Sequence, residues 1–132
     1  MTDPENLKPR VLLVDDEAGV RMSLHALLDR EYQVASVPSG EAAVEELSRF
    51  QPDVVLLDVR LRPSMSGLDA LERIKAFDER IEIVMITAFA SLATLNEALR
   101  RGACGYLIKP FPRRDLDLMV RDALARRAPR LD

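Results

Sequence analysis

The sequence predicts an α/β domain built on a doubly wound, five-stranded parallel sheet. Apolar runs alternate with stretches of helical period from one end of the chain to the other. Three of those runs are near-continuous Val, Ile and Leu, the mark of strands buried on both faces. The alternation reads strand then helix five times over, which calls for a parallel sheet with helices on both faces.

The strands are expected at 10–15, 33–37, 53–58, 81–87 and 105–109. The first helix follows Asp16 and sets Val20, Leu24, Leu27 and Leu28 on one face. The second aligns Ala43, Leu47 and Phe50, and the third Leu68, Leu71 and Ile74. Leu92, Leu95 and Leu99 give the fourth helix its apolar face, and Gly102 is a natural left-handed cap beyond it. The last helix, entered after "KPFP", carries Leu116, Met119, Val120, Ala123 and Leu124. The domain is expected over 10–126, after a polar extension at 1–9 and before a frayed tail at 127–132.

Length and composition bound the function. The 132 residues suffice for one compact domain, and the balance of 48% hydrophobic and 31% charged residues is that of a globular chain. No apolar run is long enough to cross a bilayer, and the polar start lacks the core of a signal peptide. One cysteine, Cys104, forms no internal disulfide and fits a reducing cytoplasm. One Cys and one His build no metal cluster, and His25 reads as an ordinary helix residue. Residues 100–132 hold nine basic and four acidic side chains, a local balance of +5 against −8 elsewhere. No aromatic or glycine-rich pattern accompanies those arginines, so they read as a solvated helix face rather than a nucleic-acid surface. No membrane partner is expected.

Three acids, Asp15, Asp16 and Glu17, stand directly after the apolar run Val11 to Val14, and Asp58 ends the run Val54 to Leu57. In a parallel sheet all strands end on one edge, where ligands bind. Asp15, Asp16, Asp58, Thr87 and Lys109 each lie at or beside a strand end. Taken singly, an Asp there is often only the cap of the next helix, Lys109 a surface charge and Thr87 a strand residue. Together they make a pocket in which the carboxylates repel and raise one another's pKa values. A hard cation resolves that conflict, and an oxygen-only site suits magnesium.

The pieces "LLVDDE", "DVVLLDVRL", "SGLDALERIK", "VMITAFAS" and "GYLIKPF", in this order and spacing, resemble the receiver domain of two-component response regulators, from about residue 10 to 126. The resemblance implies a flavodoxin-like fold of strand order 2-1-3-4-5. It implies that Asp58 takes a phosphoryl group from a sensor histidine kinase or phosphotransfer protein. Asp15, Asp16, Asp58 and the backbone carbonyl of Arg60 would hold Mg2+. Lys109 would pair with the phosphoryl group and Thr87 would hydrogen-bond it, with Ala88 leaving the approach open. Thr87 and Tyr106 would form the switch, Tyr106 turning inward when Thr87 moves. The partner face, a homodimer face among its uses, would be made by the fourth helix, last strand and last helix. The domain would be a signalling switch rather than an enzyme, and the Lys109–Pro110 bond would be cis. The stretch from Thr87 to Phe111 is most similar to receivers of DNA-binding regulators of the nitrogen-regulation or nitrogen-fixation type.

One departure stands out. Relatives place a proline four residues and a glycine eight residues after the acceptor, whereas Pro63 and Gly67 lie five and nine after Asp58. The loop is therefore one residue longer, with Arg62 as the extra residue by this spacing. Arg60 and Phe89 occupy positions that shape water's access, so slow self-hydrolysis of the phosphoaspartate is expected. Two rival readings remain from the residues alone. One is a magnesium-dependent phosphatase with an Asp nucleophile, whose family sets its acids two apart rather than adjacent. The other is a receiver-shaped binding module that is never phosphorylated.

Overall fold

The structure, a computed structural model, describes residues 8–61, 65–88 and 91–127. Five strands, β1 (Arg10–Val14), β2 (Gln33–Val37), β3 (Val54–Asp58), β4 (Glu82–Thr87) and β5 (Gly105–Ile108), alternate with five helices. These are α1 (Ala18–Leu28), α2 (Gly40–Phe50), α3 (Gly67–Phe77), α4 (Leu92–Arg100) and α5 (Arg113–Arg126). All strand pairs are parallel, in the order β2-β1-β3-β4-β5. The strands lie within a residue of the expected bounds. Asp15 and Lys109 leave the ladder at one edge, and Asp53 and Ile81 at the other.

The period-two alternation of the buried strands divides the core in two. Leu12, Val14, Val55, Leu57, Ile83 and Met85 face α2 and α3, meeting Ala43, Leu47, Leu71 and Ile74. Val11, Leu13, Val54, Leu56, Val84 and Ile86 face the other way, against Leu24 and Leu28 of α1 and Leu116, Val120 and Ala123 of α5. Every residue of β3 is buried, so truncating a leucine such as Leu56 to alanine would cost about 2–5 kcal/mol.

Local chemistry sets the helix ends. Ser39, Ser66 and Ser91 cap α2, α3 and α4, each hydroxyl accepting an amide hydrogen of the first turn. Gly102 has φ of 112° and closes α4. Its amide donates to Leu99 and that of Ala103 to Ala98, the paired bonds of a left-handed cap.

The apolar face expected for α4 needs correction. Leu95 is buried, but Leu92 and Leu99 are 74% and 43% exposed, and Ala98 takes the inner position instead. The leucines do form a stripe, but this short helix packs against α3 through only part of it.

At the sheet edge opposite the acids, the end of α5 is tied down. Arg127 pairs with the buried Asp53 at 3.2 Å, and Arg126 lies 3.8 Å from Glu82. Asp53 also accepts the amide of Arg10, joining the starts of β1 and β3. Among the described residues no helix is long and apolar enough to cross a membrane.

Candidate functional site

The register of the central strands assembles the site. Val14 pairs with Leu57, so Asp15, one residue on, comes level with Asp58. Asp58 in turn pairs with Ile86 of β4, and Thr87 with Ile108 of β5, leaving Lys109 next along the edge. The Lys109 amide donates to the Thr87 carbonyl at 2.8 Å, holding the β4 and β5 ends together. Asp15, Asp58 and Thr87 are buried, and Asp16 is exposed beside them.

Both strand-end aspartates use one oxygen to brace the turn that follows. Asp15 Oδ1 accepts from the Glu17 amide and Asp58 Oδ1 from the Arg60 amide, each at 2.9 Å. This is the Asx pattern that bends a chain out of a strand. Their other oxygens turn toward Lys109, whose Nζ lies 3.0 Å from Asp15 Oδ2 and 3.8 Å from Asp58 Oδ2. The Lys109–Pro110 bond is cis.

Burial pushes the Asp58 carboxyl up to about 6. The Arg60 amide and the Lys109 charge pull against this, and the neighbouring Asp15 adds to it. The repulsion expected from the sequence is thus real, but loss of solvent outweighs it. Burial also disfavours the Lys109 ammonium, yet the Asp15 hydrogen bond and the two aspartate charges leave its pKa above the ordinary value. At neutral pH Lys109 is therefore a cation and Asp58 is mostly ionised.

The carboxylates of Asp15, Asp16 and Glu17 have oxygens within 4.8 Å of one another. A donor set of oxygens alone, with no imidazole or thiolate, fits a hard divalent cation that keeps some of its waters. Glu17 is the acid that the sequence reading left out of this group. A third acid in a row after a strand looks like the start of a helix, which Glu17 also is.

Gly67 governs the loop after Asp58. A Cβ there would lie 2.2 Å from the Asp58 carbonyl oxygen and 2.7 Å from the Val59 Cα, so only glycine fits. Its amide donates to the Val59 carbonyl at 3.0 Å. The Val59 amide still bonds to Ile86, and the Arg60 turn is regular. These bonds hold the Arg60 peptide next to Asp58. Arg62, Pro63 and Phe89 lie outside the described residues.

Tyr106 lies on β5 and is 38% exposed. It lines a groove of about 420 Å³ with Ile108, Phe111 and Leu118. His25 lies half-buried on α1, away from the strand ends. Burial, with Glu82 beside it, pushes the Cys104 thiol up to about 11 and leaves it unreactive at neutral pH.

Known proteins resemble this chain in sequence and fold. The response regulator receiver domain family matches residues 11–121. The sporulation initiation phosphotransferase F of Bacillus subtilis is 34% identical over 124 residues, which is 93% of this chain and 96% of that protein. The regulatory protein AtoC of Escherichia coli is 39% identical over 116 residues, 87% of this chain but 25% of AtoC, so the chain spans about a quarter of that relative. A crystal structure of NtrX from Brucella abortus superposes with a TM-score of 0.85 at 30% identity, over 90% of this chain and 27% of NtrX. Sequence match, strand order and the acidic strand ends agree, and the phosphatase reading is not favoured: the chain belongs to the response regulator receiver domain family.

Proposed function

We propose that Asp58 is the phosphoacceptor of a magnesium-dependent switch, supplied by a sensor histidine kinase or a phosphotransfer protein. One observation carries the reading: a protonated lysine just past the last strand stands within reach of two buried aspartates at the ends of β1 and β3. In the transfer the Asp58 carboxylate attacks phosphorus and an Asp58 oxygen–phosphorus bond forms. The phosphorus–nitrogen bond of the donor phosphohistidine breaks, and its electron pair stays on the imidazole. In the metal-free site burial raises the Asp58 carboxyl to about 6, which still leaves it mostly ionised at neutral pH. Lys109 donates to a phosphoryl oxygen, and the Thr87 hydroxyl donates to another. Asp15, Asp16 and Asp58, with the Arg60 carbonyl, would hold Mg2+, which when bound offsets charge on the phosphoryl oxygens. Glu17 stands beside this set, its carboxylate within 4.8 Å of those of Asp15 and Asp16.

Phosphorylation adds charge and acceptor oxygens at the end of β3. Thr87 moves toward the new group and Tyr106 turns into the space it leaves. The surface that changes is the face of α4, β5 and α5. Exposed Leu92, Leu99, Tyr106, Ile108 and Leu118 support it as the face for a protein partner or a second copy of the chain. The domain, proposed to span 10–126, would make no direct contact with nucleic acid and would act in the cytoplasm, in transcription control of the kind named for its longer relatives.

The test is intact mass spectrometry after incubation with acetyl phosphate, with and without Mg2+, beside Asp58→Asn. A single phosphoryl gain that needs both Mg2+ and Asp58 is expected. No gain in the wild-type protein would overturn the reading and leave a binding module that is never phosphorylated.

A further inference from the structure

The start of α1 lacks the serine cap that opens α2, α3 and α4. Glu17, its cap residue, makes no side-chain capping bond, and its first turn carries no acid. Its fourth residue is instead a cation, Arg21, near the positive end of the helix dipole, where a cation is unfavourable. A broken local rule points to a compensating gain elsewhere. Helical side chains lean toward the helix N-terminus, and Arg21 does so here. Its guanidinium donates to the Asp15 carbonyl oxygen at 2.6 Å.

That bond completes the restraint of Asp15. The Asp15 amide donates to Val37, Oδ1 accepts from Glu17, Oδ2 accepts from Lys109, and the carbonyl accepts from Arg21. The carbonyl belongs to the peptide plane that joins Asp15 to Asp16. Fixing it sets the direction in which exposed Asp16 leaves the strand, and so where its carboxylate stands relative to those of Asp15 and Glu17.

We infer that Arg21 is a positioning residue of the cation site, holding the Asp15–Asp16 peptide so that the acids converge on one ion. The inference rests on the magnesium reading above. Arg21 also lines a shallow groove of about 510 Å³ with Met22, His25 and Ser36, so partner contact is the competing role.

The experiment compares the wild-type protein with Arg21→Met and Arg21→Lys. It reads the Mg2+ dissociation constant by calorimetry, and the acetyl phosphate reaction rate as a function of Mg2+. In Arg21→Met the dissociation constant should rise by about 10-fold, as losses around metal ligands typically do. The rate at saturating Mg2+ should return to the wild-type level, since the chemistry is untouched. Arg21→Lys, which keeps the cation but not the planar donor, should fall between, and it carries the test alone if the methionine variant does not fold. Unchanged Mg2+ affinity with transfer from a kinase impaired would overturn the inference in favour of partner contact. Loss of rate at saturating Mg2+ would overturn it as well. If the wild-type protein binds no Mg2+, both this inference and the magnesium reading fall; if only the variants bind as the wild type does, the inference falls alone.

Discussion

The ammonium of Lys109 stands 3.0 Å from Asp15 and 3.8 Å from Asp58, closer to the aspartate expected to hold the metal than to the one expected to take the phosphoryl group. Without a cation, Lys109 supplies the positive charge that makes the acidic edge tolerable. A divalent ion entering the site competes with it for Asp15. Replacing Lys109 by methionine should therefore destabilise the metal-free protein by about 1–2 kcal/mol, because buried acids lose their partner. The rise in Tm on adding Mg2+ should be larger than in the wild-type protein. Thermal melts in EDTA and in Mg2+ measure both, and equal Mg2+ shifts would refute the competition.

Asp58 itself makes the metal-free fold pH-dependent. Its native carboxyl titrates at about 6, above the ordinary 3.8. Between those values the native state takes up a proton that the unfolded chain does not. This group's contribution to stability therefore falls as pH rises through the window, and its cost is complete above about 6. Asp58→Asn should be the more stable protein at pH 7.5, by on the order of 1 kcal/mol, with the advantage fading near pH 4. Urea unfolding in EDTA across that range tests it; a difference independent of pH would exclude the account.

Gly67→Ala should be costly although its helix would otherwise welcome alanine. The added methyl meets backbone of Asp58 and Val59 rather than a flexible side chain. A loss of about 2–4 kcal/mol is expected, with the amide resonances of Val59 and Arg60 displaced. An alanine variant as stable as the parent would mean that the loop yields more readily than this contact allows.

Tyr106 offers an optical readout. The chain has two tyrosines and no tryptophan, so in a Tyr32→Phe background all tyrosine emission comes from Tyr106. Its exposed ring should become less accessible to acrylamide on phosphorylation. Quenching that does not change in a fully phosphorylated sample would remove Tyr106 from the switch.

Much of this was legible in the chain because two periodicities carry it. The unbroken apolar strands gave the sheet away, and the strand ends then placed Asp15, Asp58, Thr87 and Lys109 on one edge with no knowledge of distances. Arg21 was not legible: an arginine between Val20 and Met22 on a helix reads as solvated surface, and only three-dimensional reach shows its carbonyl partner. Glu17 was named among the three acids but not placed in the site, because nothing in the sequence shows that its carboxylate lies beside those of Asp15 and Asp16. The α4 stripe misled because periodicity reports which residues share a face, and not how much of that face a neighbouring element covers.

The close approach of Gly67 to Asp58 has a consequence for how this loop can vary. Gly67 works as a fixed far anchorage for a stretch whose near end is fixed by the Arg60 amide on Asp58. Between two such moorings the chain can gain a residue at the small entropic cost of a longer loop, with the reactive carboxylate left where it was. The length of the stretch between them is thus uncoupled from the placement of the Asp58 carboxylate.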